Sequence, residues 1–175
     1  GSEYSEDVTE ITLALESDAE TRKAWPHDFA LELKVSVSMK LTLALRATNT
    51  GTEAFRVTEG FHPYFLVRER DQAEVLGVDG CEFTDTRVPE KGVRTWTGSY
   101  AVREAGSKIY QVTKREYVLM DHGLNRAIAV VSRGNARLVV WNPGEESADQ
   151  VAAFGVDGWR RFVCVEPCST PDEAG

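Results

Sequence analysis

The feature that most restricts the fold of this chain is a period of two in its apolar residues. In Val8-Thr-Glu-Ile-Thr-Leu-Ala-Leu15, Ile11, Leu13 and Leu15 alternate with polar or small neighbours. Successive side chains of a β-strand point to opposite faces, so this pattern buries one face and wets the other, whereas a helix would need apolar residues every three or four positions. The alternation recurs over 29–37 and 40–46; Asn49-Thr-Gly51 then supplies a turn, and 55–58 comes next as a further short strand. Later segments of strand character are 74–78, 108–112, 117–120, 126–132, 137–141 and 161–166, most of them flanked by Gly, Pro, Asn or Asp. Only 145–159 leaves room for a short helix. The expected class is therefore all-β: an antiparallel meander leading into a β-sandwich or a larger pair of packed sheets.

Composition narrows the function classes. The length of 175 residues and a hydrophobic share of 42% are enough for one core, so a single domain over 1–175 is expected. The formal charge of -8 would repel a phosphate backbone, which argues against nucleic-acid binding. No apolar run approaches the roughly 20 residues of a spanning helix, so no membrane insertion is expected. Gly1-Ser2 reads as a scar of tag removal, and the residues after it lack the regions of a signal peptide, which points to the cytoplasm. Cys81, Cys164 and Cys168 make an odd count without the partners of a zinc site, and they read as reduced structural thiols. The oligomeric state is not legible.

Two residues stand out for chemistry. His62 lies in Gly60-Phe-His-Pro-Tyr-Phe65. Pro63 holds the residue before it in an extended conformation and, lacking an N–H, belongs at a sheet edge, a bulge or a strand end, so the imidazole is aimed. An imidazole takes or gives a proton near neutrality. The competing reading is a ring packed among Phe61, Tyr64 and Phe65. Glu166 ends Arg161-Phe-Val-Cys-Val-Glu166 and shares a face with Phe162 and Cys164. If Val163 and Val165 face a core, Glu166 points the other way; in a groove, burial would raise its pKa and make it a better base. The competing reading is an exposed strand-end carboxylate. His27 and His122 sit in turn-like surroundings beside aspartates. Gly144-Glu-Glu-Ser-Ala-Asp149 lacks the ligand spacing of a calcium loop and reads as a solvated loop. Glu145 and Glu166 as a glycosidase carboxylate pair stays open, because sequence carries no separation.

Taken together, Gly60-Phe-His-Pro-Tyr-Phe65, Val139-Val-Trp-Asn-Pro143 and Phe162-Val-Cys-Val-Glu-Pro167 resemble, in content and order, the signature blocks of the aldose 1-epimerase (mutarotase) superfamily, its glucose-6-phosphate 1-epimerase branch in particular. The stretch 20–29 is similar to the preceding strand region of that family, so the resemblance spans nearly the whole chain. It implies a galactose-mutarotase-like β-supersandwich, truncated here at its N-terminus and without the strands whose arginines grip a substrate phosphate. It implies an isomerase that interconverts the α and β anomers of a hexose-6-phosphate, glucose-6-phosphate first and a free aldose second among the sugars or sugar phosphates it could take, by ring opening and reclosure with His62 as general acid, Glu166 as general base, and no metal or other cofactor. Ser107 stands where the family pattern has an acidic sugar contact, and it would offer a hydroxyl instead of a charged bidentate acceptor. A non-catalytic carbohydrate-binding β-sandwich is the alternative.

Overall fold

The computed structural model describes residues 7–112 and 114–170. The chain is organised as two compact units, Gly1–Val57 and Thr58–Gly175, within the span read above as one domain. The first contains an antiparallel meander of β1 (Thr9–Glu16), β2 (Phe29–Val37) and β3 (Leu41–Asn49), with a single helical turn at Thr21–Ala24. Its register aligns Ile11 with Val35 and Leu43, Leu13 with Leu33 and Leu45, and Leu15 with Leu31. The period of two thus collects apolar side chains on one face, and Glu10, Glu32, Lys34 and Arg46 on the other. Ile11, Leu13, Leu15 and Leu45 remain exposed.

Phe55–Thr58, expected as a strand, is not one. Phe55 instead completes an aromatic cluster: its ring stacks on His27 at 4.5 Å and meets Trp25 edge-on at 4.9 Å. Ring packing, with no ladder partner for the segment, explains the apolar spacing that had read as a strand. The same cluster gives His27 a structural place.

The second unit carries the remaining strands: β4 (Glu59–Gly60), β5 (Tyr64–Leu66), β6 (Ala73–Leu76), β7 (Glu82–Asp85), β8 (Arg94–Thr95), β9 (Tyr100–Ala101), β10 (Gly106–Gln111), β11 (Glu116–Asp121), β12 (Arg126–Val131), β13 (Arg137–Asn142) and β14 (Phe162–Ser169). A seven-stranded sheet runs β4-β14-β13-β10-β7-β8, with β5 also paired to β14, and a four-stranded sheet runs β12-β11-β6-β9. All pairings are antiparallel. One core cluster draws on both sheets: Phe83, Tyr110, Leu138, Val140, Val163 and Val165 from the larger, and Val75, Tyr117 and Leu119 from the smaller. Lys108 lies on this inner face with its side chain 4% exposed, its ammonium 2.8 Å from Asp85 and 2.7 Å from Glu104. Two opposite charges compensate its removal from water.

The segment between β13 and β14 folds into short 3-10 turns at Ala148–Phe154 and Gly158–Arg161 and lies against the other face of the large sheet. Asn142, fully buried, fastens it: its side-chain amide donates to the Trp159 and Phe162 carbonyls at 2.8 and 2.9 Å, and its oxygen accepts from the Gly144 N–H at 2.9 Å. Val151, Trp159, Phe162 and Cys164 form a small second core beneath it. That packing raises a wall beside the outer face of β13 and β14.

Candidate functional site

Val163 and Val165 are fully buried in the core between the sheets, so alternation turns Phe162, Cys164, Glu166 and Cys168 to the outer face. β4 and β5 dock on the same side of β14, pairing Gly60 with Cys168 and Tyr64 with Cys164. Both pairings keep one register, which sets His62 opposite Glu166. The ladder is interrupted between them because Pro63 has no N–H to donate. Gly60 permits this docking: a Cβ there would lie 2.7 Å from Cβ of Cys168.

The interruption leaves His62 free to lean over the face. Its Nε2 lies 3.3 Å from Oε1 of Glu166, with side-chain exposures of 50% and 13%. The imidazole stacks on Tyr64 at 4.9 Å and meets Trp141 edge-on at 5.4 Å, so two rings fix its plane. The two readings left open for His62 thus merge, since the aromatic packing is what orients a half-exposed ring. For Glu166 the exposed reading is set aside: burial pushes its carboxyl up to about 7. Oε1 is shielded from solvent and accepts no hydrogen bond, because the approach of His62 is close but poorly aligned for one. A carboxylate near neutrality with an unfilled acceptor, touching an imidazole, is a pair equipped to move protons.

Across the sheet, Cys164 pairs with Trp141, and Trp141 with Ser107. Ser107 is held by Thr86, accepting from the Thr86 N–H and donating its own N–H to the Thr86 hydroxyl, both at 3.0 Å. With Thr86, Arg87, Trp141, Glu146 and Gln150 it lines an open groove of about 200 Å³. Two strand spacings and one two-residue step separate the Cα atoms of Ser107 and Glu166 by roughly 12 Å. Trp141 borders both the pair and the groove, meeting His62 on one side and lining the groove on the other.

His62, Cys164 and Glu166 offer ligand atoms within 4.8 Å of one another, the one such trio found among the described residues. Burial pushes both Cys164 and Glu166 toward their uncharged forms, the reverse of what a preformed cation site needs. The other histidine of this unit lies elsewhere, His122 beside Glu74 at 3.2 Å. Glu145 is exposed, and the carboxylate its loop delivers to the groove is that of Glu146. Sequence reasoning missed Tyr64, Trp141, Arg87 and Glu146 as site residues. Tyr64 and Trp141 lie inside the motifs quoted above; Arg87 and Glu146 carry no local signal.

The model of the aldose 1-epimerase family matches residues 2–172. A Salmonella typhimurium protein named "Putative glucose-6-phosphate 1-epimerase" is 32% identical over 157 residues, 89% of this chain and 51% of that protein. The crystal structure of a "putative mutarotase" from Salmonella typhimurium superposes with a TM-score of 0.82 at 30% identity, over 92% of this chain and 53% of that one. A galactose mutarotase related enzyme from Lactobacillus acidophilus shares the fold alone, with a TM-score of 0.75 at 15% identity, over 98% of this chain and 60% of that one. The chain spans about half the length of the curated relatives it matches. Its fold is galactose mutarotase-like and mostly β-strand. On these grounds the chain belongs to the aldose 1-epimerase family.

Proposed function

We propose that this chain interconverts the α and β anomers of a hexose-6-phosphate, glucose-6-phosphate foremost, by acid-base opening and reclosure of the ring. The observation that carries the reading is the contact of half-exposed His62 with the largely buried Glu166 at 3.3 Å. The ring oxygen and the anomeric hydroxyl of a pyranose are bonded to the same carbon, so the acid and base that serve them must converge on one point. A pair placed at opposite ends of a groove could not do this.

Glu166 takes the proton of the anomeric hydroxyl. As the C1–O1 bond becomes a carbonyl, the bond from C1 to the ring oxygen breaks, and protonated His62 delivers its proton to that oxygen. The open aldehyde turns about C1–C2, and the same two groups run the steps backwards on the other carbonyl face. Protons are conserved over the cycle, and each well-placed group contributes on the order of 10² to 10⁴ in rate. Trp141 presents an apolar ring beside the pair on which a pyranose face can rest. Ser107 supplies a hydroxyl for a sugar oxygen. The 6-phosphate follows the branch of the family that the sequence blocks resemble, and the names of the relatives agree with it.

The test is NMR anomer exchange on freshly dissolved α-glucose-6-phosphate, with His62→Asn and Glu166→Gln alongside. Acceleration over buffer, lost in both variants, is the expected result. Acceleration that survives Glu166→Gln removes the base from the scheme. Binding without any acceleration would make the chain a carbohydrate-binding module instead.

A further inference from the structure

The groove beyond Trp141 carries a second feature that proton transfer does not use. Arg87 reaches over it from the loop after β7, and Glu146 from the wall after β13; Nη2 and Oε1 meet at 3.5 Å, with side-chain exposures of 44% and 74%. An exposed ion pair this long adds little to stability. It is nonetheless held in place from both sides. The Arg87 N–H donates to Asp85 Oδ1 at 3.0 Å. Its side chain crosses bare backbone at Gly106, where φ is +89 and a Cβ would lie 2.8 Å from Cγ of Arg87. On the opposite wall, Glu146 lies in the turn after β13, whose Gly144 N–H is held by buried Asn142 at 2.9 Å.

We infer that Arg87 and Glu146 form a clasp that reads the hydroxyls on C3 and C4 of the sugar, and so determine specificity. The inference rests on the anomerase reading for the direction in which the sugar lies. With C1 and the ring oxygen at His62 and Glu166, C3 and C4 are the opposite edge of the six-membered ring. The groove that Arg87 and Glu146 line is bordered by Trp141, the ring that also meets His62 edge-on at 5.4 Å, so that far edge of a sugar held at the pair falls toward the clasp. Neighbouring hydroxyls are complementary to this pair: the guanidinium donates to their oxygens and the carboxylate accepts their protons. The sugar would exchange a loose Arg–Glu contact for two charge-assisted ones. Glu146 also supplies, from another loop, the carboxylate that Ser107 cannot offer.

The experiment uses 1,5-anhydroglucitol 6-phosphate, which has no anomeric hydroxyl and cannot react, and tracks its binding by calorimetry. Arg87→Met and Glu146→Gln should each weaken it about tenfold or more, and the 3,4-dideoxy analogue should bind weakly and be indifferent to both changes. In turnover, both variants should raise KM and spare kcat. Unchanged affinity in the two variants overturns the clasp. So does a dideoxy analogue that responds to them as the full sugar does, or wild-type protein that does not bind the anhydro sugar. Wild-type protein that binds it, with affinity sensitive to both variants, yet exchanges no anomers would refute the anomerase and leave the clasp standing.

Discussion

Replacing Glu166 by glutamine should make the protein more stable at neutral and alkaline pH while depriving it of its proposed base. The reason lies in the burial of the carboxyl, which raises it from the ordinary 4.5 to about 7. A group raised in this way holds its proton more tightly folded than unfolded. Its contribution to stability is full below 4.5 and is lost as pH rises through about 7. At about 1.4 kcal/mol per pH unit, the wild type gives up on the order of 3 kcal/mol across that window. The glutamine side chain is nearly isosteric and does not titrate, so the variant keeps what the wild type loses. Urea unfolding of both proteins from about pH 4.5 to about pH 8 measures the difference, which should grow by about 3 kcal/mol in favour of the variant. Curves that stay parallel would show that Glu166 is not desolvated in the folded chain. The account of the base as tuned by burial would then fail.

Three further outcomes are expected from the same geometry. If Glu166 must be ionised to act, NMR exchange rates should climb as pH rises through about 7, and that limb should vanish in Glu166→Gln. Tyr64→Ala removes the ring on which His62 stacks from a half-exposed position; turnover should fall about tenfold to a hundredfold with circular dichroism unchanged, and a rate equal to wild type would show that the stack does not aim the imidazole. Lys108→Met takes from Asp85, 8% exposed, its nearest cation and leaves it Arg94 at 3.8 Å. It should cost about 3 kcal/mol in urea unfolding, and a shift within error would mean that the pair is not buried in solution.

The strands of the meander were legible because their alternation runs for eight or nine residues. β4, β5, β8 and β9 were not, since two or three residues carry too little pattern; of the two four-residue strands, β6 was read and β7 was missed. The outward turn of Glu166 could be argued from Val163 and Val165 alone. Its meeting with His62 could not, because it depends on β4 and β5 both docking on β14 across a gap of about a hundred residues in sequence, and register between distant strands leaves no local trace. The same holds for the groove. Trp141 and Ser107 become neighbours through the β10–β13 ladder, and Arg87 meets Glu146 across loops whose composition speaks only of turns. Glu146 had read as part of a solvated loop, which is true of its exposure and silent on where the loop goes.

The apolar face of the β1–β3 meander has a practical consequence. Ile11 and Leu13 are each 57% exposed and Leu41 65%, opposite a face of charge. At the bench such a chain behaves as an amphiphile. The expected outcome is adsorption to plastic and air–water interfaces, late elution from apolar resins, and precipitation by sulfate sooner than a net charge of -8 would suggest. A lysine placed at Leu13 would ease storage and concentration without touching a residue of the proton-transfer pair.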